Sequence, residues 1–196
     1  MSQSAGDAAE ERRLIEQSIA GDEQAFAMLI RRHQQEIARR MMRFSRDRTA
    51  IEEMVHDVFV EAWFSLGRYR GQAPWEHWLH RIAVRVGYRF WKRQRRERKR
   101  RSVPLENADA LSVDSVCDAE LAEPVEALLA GLPPRDRLVL TLLYVEGRSV
   151  EEAAELAGWS RTMIKVQAFR ARAKLRRMVR EQAVVTHLEQ SHERVR

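Results

Sequence analysis

Ser149-Val-Glu-Glu-Ala-Ala-Glu-Leu-Ala-Gly158-Trp-Ser160-Arg-Thr-Met-Ile164 is the stretch that decides the fold. Its opening, Ser149 followed by Glu152, is a capping box: a hydroxyl and a carboxylate three residues apart satisfy free amides at a helix start. The helix it opens is short, because Gly158 offers the positive φ of a tight turn and Ser160 can cap a second helix. Ala154, four residues before the glycine, is small enough for close helix contact. Ile164, six after it, supplies an apolar clamp from the second helix. Small residue, turn glycine and clamp together meet the packing requirement of a DNA-binding helix-turn-helix.

Ser160 caps a helix whose outward face carries Arg161, Thr162, Lys165, Val166 and Phe169, with Arg170, Arg172 and Lys174 behind them. Residues 161–180 hold eight bases and no acid. In a major groove the first of these side chains meet base edges, and the later arginines meet phosphates. For Phe169 two readings stay open: packing on Leu142 or Leu143, or contact with a thymine methyl.

Working outward, helical periodicity begins at Leu121 and runs through Val125, Leu128, Leu129 and Leu132. Pro133-Pro134 then starts another helix, Arg135–Glu146, with Leu138, Leu142 and Val145 expected inward and Gly147 as its C-cap. This second domain is expected over 121–181, with a tail over 182–196. Before it, Ser102-Val-Pro104 and a run of Asp, Asn and Ser read as an acidic flexible linker over 102–120.

The first block, 10–101, is also read as helical. A short helix falls near Arg12–Ile19. From the N-cap Asp22, Phe26, Leu29, Ile30, Ile37, Met41 and Phe44 recur at threes and fours. The next helix, Thr49–Leu66, is expected to bury Ile51, Val55, Val58, Ala62 and Leu66. A third opens at Pro74 with Trp75, Trp78, Leu79, Ile82, Val86 and Phe90 on one side. The same helix interleaves Trp75, Trp78, Tyr88, Phe90 and Trp91 with Arg81, Arg85, Arg89, Lys92 and Arg93. Aromatic faces among cations are what single-stranded nucleic acid needs, since each base offers a π-face and each phosphate a charge. Core spacing argues the other way for Trp78, which is expected to be buried. The preceding loop, Gly67–Ala73 with Tyr69, either holds an unstacked base or connects helices.

Charge follows the same partition. The 196 residues carry a net charge of only +6, but residues 85–101 hold ten bases against one acid, while 102–126 hold seven acids and no base. Two basic blocks around an acidic one suggest a polyanion touched at two places. The fold class expected is all-α: two small helical domains joined by a linker. A single cysteine, Cys117, excludes an internal disulfide and a Cys-rich zinc site. The polar segment Met1–Glu11 does not read as a signal peptide, and no apolar stretch approaches the ~20 residues that span a bilayer, so membrane insertion is not expected. His77 with His80, and His187 with His192, lack the companions a metal site needs. No phosphate loop, nucleophile elbow or triad motif is present, so neither cofactor nor enzymatic activity is expected.

Asp22-Glu-Gln-Ala-Phe26, Ile51 through Trp63, Trp75-Glu-His-Trp-Leu-His-Arg-Ile-Ala83, Gly131-Leu-Pro133, Glu152-Ala-Ala154 and Gly158 through Leu175 resemble, in this order, a bacterial extracytoplasmic-function (ECF) sigma factor. This is the smallest group of sigma-70-type initiation factors, keeping the second and fourth conserved regions. The resemblance implies a cytoplasmic partner of core RNA polymerase, docking on its β′ and β subunits. The first domain would capture the non-template strand of the -10 element, and the second would read the -35 element as duplex. An anti-sigma factor would hold the protein inactive.

Carried over by motif, the docking residues are Glu53, His56 and Asp57, with His56 in place of the usual glutamine, and on a helix they share one outward face with Val60 and Phe64. The -10 residues are Tyr69, Trp75, Trp78, Arg81, Arg85, Tyr88, Arg89 and Lys92. Arg85 and Arg89 replace the usual asparagine and aspartate, which favours phosphate contact over base discrimination. The -35 residues are Ser160, Arg161, Thr162, Lys165, Val166, Phe169, Arg170 and Arg172. Met163-Ile164 replaces Thr-Val, and Val166-Gln167 replaces Ser-Arg, so a divergent -35 preference is expected. The alternative function is a free-standing helix-turn-helix regulator that binds duplex DNA alone as a dimer.

Overall fold

The computed structural model describes residues 2–101 and 122–193, and the side-chain environments of 7–100 and 125–180. The expected linker with Cys117 therefore lies outside the described residues, as do the side chains of His187 and His192. All regular elements described are helical: α1 (Ser2–Ile19), α2 (Glu23–Met41), α3 (Arg48–Ser65), α4 (Trp75–Arg101), α5 (Ala122–Ala130), α6 (Pro134–Leu140), α7 (Val150–Ala157) and α8 (Arg161–Glu193). They fall into two units, Met1–Gln94 and Arg95–Arg196. The residues read as a C-terminal tail continue α8 to Glu193.

In the first unit short polar side chains start the helices. Asp22 accepts the amides of Gln24 and Ala25 at 2.8 and 3.1 Å, and Asp47 does the same for Thr49 and Ala50. Each such cap is worth about 1 kcal/mol. Pro74 stands one residue before α4, and its carbonyl accepts the Trp78 amide at 3.1 Å. The core is Leu14 and Ile15 of α1, Phe26, Leu29, Ile37 and Met41 of α2, Met54, Val58 and Ala62 of α3, and Leu79, Ile82, Ala83 and Val86 of α4. On α3 the buried row runs Ala50, Met54, Val58, Ala62, so Ile51 and Val55, expected inside, are only half-buried. Phe59, also buried, lies on the same side of the helix as Ile51 and Val55.

Phe44, in the turn after α2, locks this turn onto α4. Its ring sits 4.6 Å from that of Trp91, and the Trp91 indole N–H donates to the Phe44 carbonyl at 2.8 Å. The ring has room because residue 87 is glycine: a Cβ there would lie 2.4 Å from the Phe44 ring.

The second unit buries Leu129 and Leu132, Leu138 to Leu140 and Leu142, Ala153, Ala154 and Leu156, and Ile164, Ala168 and Ala171, with Leu129, Leu132, Leu140 and Ala171 forming one cluster. Its helix-turn-helix has the expected local chemistry. Ser149 and Glu152 form a reciprocal capping box, Gly158 takes φ +69° and ψ +31°, and Ser160 Oγ accepts the Met163 amide at 3.2 Å. Ala154 and Ile164 are buried as the spacing requires. One expectation fails. The helix after Pro134 ends at Leu140 and continues as a wider π-helical turn, Thr141–Val145, in which the Glu146 amide reaches the Thr141 carbonyl at 2.9 Å. The added residue per turn shifts the helical register, so Val145 faces outward at 38% exposure rather than inward.

Gly87 supplies a test of this packing. Helix propensity alone predicts that Gly87→Ala stabilises α4 by about 1 kcal/mol. The Phe44 ring predicts the opposite, a loss of about 1–3 kcal/mol from overpacking, visible as a lowered midpoint in thermal or urea unfolding.

Candidate nucleic-acid and partner interfaces

The α3 surface opposite the core brings the five docking candidates together. Glu53, His56 and Asp57 are exposed, Val60 is 38% exposed, and Phe64 is 81% exposed. They recur at threes and fours along one helix face. An aromatic ring left this far in water, beside a valine and two carboxylates, makes a mixed apolar and acidic stripe on one helix face. Glu53 also lies 3.9 Å from Arg93, a surface pair of little strength.

The aromatic residues at the start of α4 divide differently from the sequence reading. Trp75 is 2% exposed, so its ring is a core group with no face free to stack on a base. It packs 4.9 Å from Trp78 and edge-on to Tyr69 at 5.4 Å. Trp78 is half-buried rather than buried, and Tyr69 closes the triangle at 5.3 Å. The Tyr69 hydroxyl donates to the Ala73 carbonyl at 2.9 Å, drawing the 67–73 loop tight. Burial raises the Tyr69 phenol pKa and keeps it a donor. A cleft of about 900 Å³ opens between this loop and α1, lined by Glu11, Arg12, Tyr69, Arg70, Gln72 and Trp75 among others. The Trp75 indole N–H is buried and has no acceptor among the described residues. Tyr69, Arg12 and Arg70 line this cleft together with the acid Glu11.

Further along α4, Arg81, Arg85, Arg89 and Lys92 are exposed, and Lys92 lies 5.7 Å over the Tyr88 ring. Sequence reasoning missed the acid beneath them. Glu61 of α3 reaches across to Arg85 at 3.6 Å and accepts a hydrogen bond from Arg89. Nothing in the α3 pattern distinguishes Glu61 from a solvated carboxylate, because the contact depends on how α3 lies against α4.

Near the start of α4, Arg40 of α2 joins Glu36, Glu76 and His80, with its Nη1 3.1 Å from His80 Nδ1. Burial pushes the Glu36 carboxyl up, but hydrogen bonds with Glu76 and Arg40 outweigh it and hold Glu36 below its ordinary range. The Glu36 hydrogen bond, with burial, raises Glu76. His80, 4% exposed, thus belongs to a structural network, and among the described residues no cluster of His, Cys, Asp or Glu has the makings of a metal site.

On α8, Arg161, Thr162, Lys165, Val166, Phe169, Arg170 and Arg172 are all exposed, and Ser160 is committed to the cap. Phe169 is 63% exposed, which removes the packing alternative and leaves its ring on the outward face. Two of the arginines are steadied by neighbours: Arg161 lies 3.7 Å from Glu151 of α7, and Arg172 donates to the Tyr144 hydroxyl at 2.8 Å. Arg135 of α6 lies 5.3 Å over the ring of Trp159, which sits in the turn.

Two helical units, one a capped helix-turn-helix with an acid-free outward face and the other presenting a cationic helix beside an apolar-acidic stripe, define a DNA-binding protein that also docks on a partner. Comparison with known proteins makes this specific. The family pattern "Sigma-70 region 2" matches residues 29–97 and "Sigma-70, region 4" matches 122–175. The chain is 30% identical, over 85% of its length and 83% of the relative's, to the ECF RNA polymerase sigma factor SigM of Mycobacterium tuberculosis. It is 28% identical to the ECF RNA polymerase sigma-E factor of Haemophilus influenzae over 81% of this chain and 89% of that one. The solved structure of CnrH in complex with the cytosolic domain of CnrY superposes with a TM-score of 0.53 at 28% identity, covering 88% of this chain and 98% of that one.

The chain belongs to the ECF sigma factors of the sigma-70 family. It is a transcription initiation factor that directs RNA polymerase to promoters. A free-standing duplex regulator would need only the second unit, and the match to region 2 sets that alternative aside. No helix among the described residues is long and apolar enough to cross a membrane.

The Glu61 contact generates a prediction. Glu61→Gln releases two guanidinium groups and removes one negative charge from the cationic face. Binding of a single-stranded oligonucleotide should tighten by roughly 0.5–1 kcal/mol, a few-fold, at low salt, with a steeper salt dependence. Fluorescence anisotropy titrations at several salt concentrations measure both.

Proposed function

We propose that the first unit, taken as residues 10–101, docks on the β′ subunit of core RNA polymerase through Glu53, His56, Asp57, Val60 and Phe64. The observation that carries this is Phe64, whose ring lies open to water at the end of an otherwise ordinary amphipathic helix. Once docked, α4 and the 67–73 loop hold the non-template strand of the -10 element. Arg81, Arg85, Arg89 and Lys92 meet phosphates, Trp78, Tyr88 and Tyr69 offer ring surface, and the cleft beside Tyr69 takes an unstacked base. Trp75 supports that cleft from within the core.

The second unit, 121–181, reads the -35 element as duplex and faces the β subunit. Arg161, Thr162, Val166 and Phe169 meet base edges and thymine methyls, while Lys165, Arg170 and Arg172 meet phosphates. Neither unit performs chemistry, and the protein acts in the cytoplasm without a cofactor. An anti-sigma factor controls it by covering these surfaces. The similar CnrH, solved in complex with the cytosolic domain of CnrY, supports a protein partner at these surfaces.

In vitro transcription with core polymerase, with and without this protein, followed by start-site mapping, tests the whole reading. Glu53→Arg with Asp57→Arg should abolish competition for core in a pull-down while leaving thermal unfolding within about 0.5 kcal/mol, since both positions are exposed. Normal competition by the folded variant would remove the docking assignment.

At the upstream element, Arg161→Ala should change base preference, and Lys165→Ala should weaken all sequences alike, the latter lowering the salt slope by about one. A randomised -35 library read by sequencing separates the two effects.

A further inference from the structure

Asp136 is the one acid in the first turn of α6, where an acid ordinarily sits in solvent and favours the helix dipole. Here it is 1% exposed. Its two carboxylate oxygens are taken by two residues of α8: Oδ1 accepts from the Gln167 side-chain amide, and Oδ2 accepts from Lys174 Nζ at 2.6 Å. Gln167 and Lys174 are seven apart, two helical turns, and so lie along one flank of α8. On the other flank Arg172 is tied to Tyr144, which follows α6 in the wide turn. The recognition helix is therefore held by polar contacts on both sides, while Ile164, Ala168 and Ala171 sit between them against the core.

We propose that Asp136 is a positioning residue for promoter reading: it fixes the rotation of α8 about its own axis and thereby which side chains reach the base edges. Beyond the Ile164 clamp, the seam between Gln167 and Lys174 is formed by the small Ala168 and Ala171, which resist rotation about the helix axis little. A buried carboxylate resists that motion, because rolling either way breaks a hydrogen bond to a charged group with no water to replace it. The same contact takes one N–H of the Gln167 amide and ties that side chain to α6. The reading set is thus confined to Arg161, Thr162, Val166 and Phe169. The inference rests on α8 being the -35 reader and adds a residue that never touches DNA to the determinants of its specificity.

The test is a randomised -35 library transcribed by core polymerase with Asp136→Leu, Asp136→Asn or Lys174→Met, alongside Leu138→Ala as a purely destabilising control. Thermal unfolding is measured for each. Asp136→Leu should broaden the base preference severalfold at two or more -35 positions. Lys174→Met, at a half-exposed position, should fold normally and broaden it less. Asp136→Asn, which keeps an acceptor for Gln167, should restore most of the preference. Leu138→Ala should lower stability while leaving the preference profile unchanged.

If Asp136→Leu does not fold, Lys174→Met and Asp136→Asn carry the comparison. An unchanged profile in folded Asp136→Leu or, where that variant does not fold, in Lys174→Met, or a change matched by Leu138→Ala, overturns the proposal. If Arg161→Ala and Lys165→Ala also leave the upstream profile unchanged, the -35 assignment itself fails. If those two act and the Asp136 and Lys174 variants do not, only the positioning role is lost.

Discussion

A helix that offers a row of arginines to a polyanion repels itself, and this self-repulsion is the constraint around which both units are built. Residues 161–180 carry eight bases without an acid, and 85–101 carry ten against one. Like charges three and four apart destabilise an isolated helix, so α4 and α8 depend on what lies behind them. In each case the support is an apolar stripe on the far face together with a carboxylate borrowed from a neighbouring helix. Glu61 of α3 serves Arg85 and Arg89, and Asp136 of α6 serves Lys174.

The two carboxylates differ in burial, and their roles differ accordingly. Glu61 is partly exposed beside two exposed guanidinium groups, in water-like surroundings where an ion pair contributes little and a phosphate can compete for the same donors. It tempers the charge of the face without fixing its shape. Asp136 is shut away from solvent, so its bonds are not exchanged for water and the geometry they impose persists. In the proposed function one unit accommodates a strand with unstacked bases and the other presents a set register to a duplex groove, so an adjustable support suits the first and a fixed one the second.

Exposed apolar groups obey the same logic. Phe64 and Phe169 are both open to water, and each stands on a face already marked by charge. Trp75 illustrates the reverse. Placed by type and spacing among the candidate stacking residues, it is instead enclosed by Tyr69 and Trp78 and shapes the cleft wall from behind.

What the sequence determined by itself is everything governed by contacts within a few residues. Asp22, Ser149 with Glu152, Gly158 and Ser160 act through backbone groups two to four positions away, so helix starts and the turn of the helix-turn-helix were legible from type and spacing alone. The exposed faces of α3 and α8 were legible for the same reason, since helical period fixes which residues point together. What only the tertiary structure decided are the pairings across helices. These include the width of the buried stripe on α3, the outward rotation of Val145 by a wider turn, the enclosure of Trp75, Phe44 filling the space that Gly87 leaves, and the reach of Glu61 and Asp136 to their basic partners. Each depends on the relative placement of segments tens of residues apart, which no local pattern encodes. An acid on a helix reads the same in sequence whether water or an arginine of another helix stands before it.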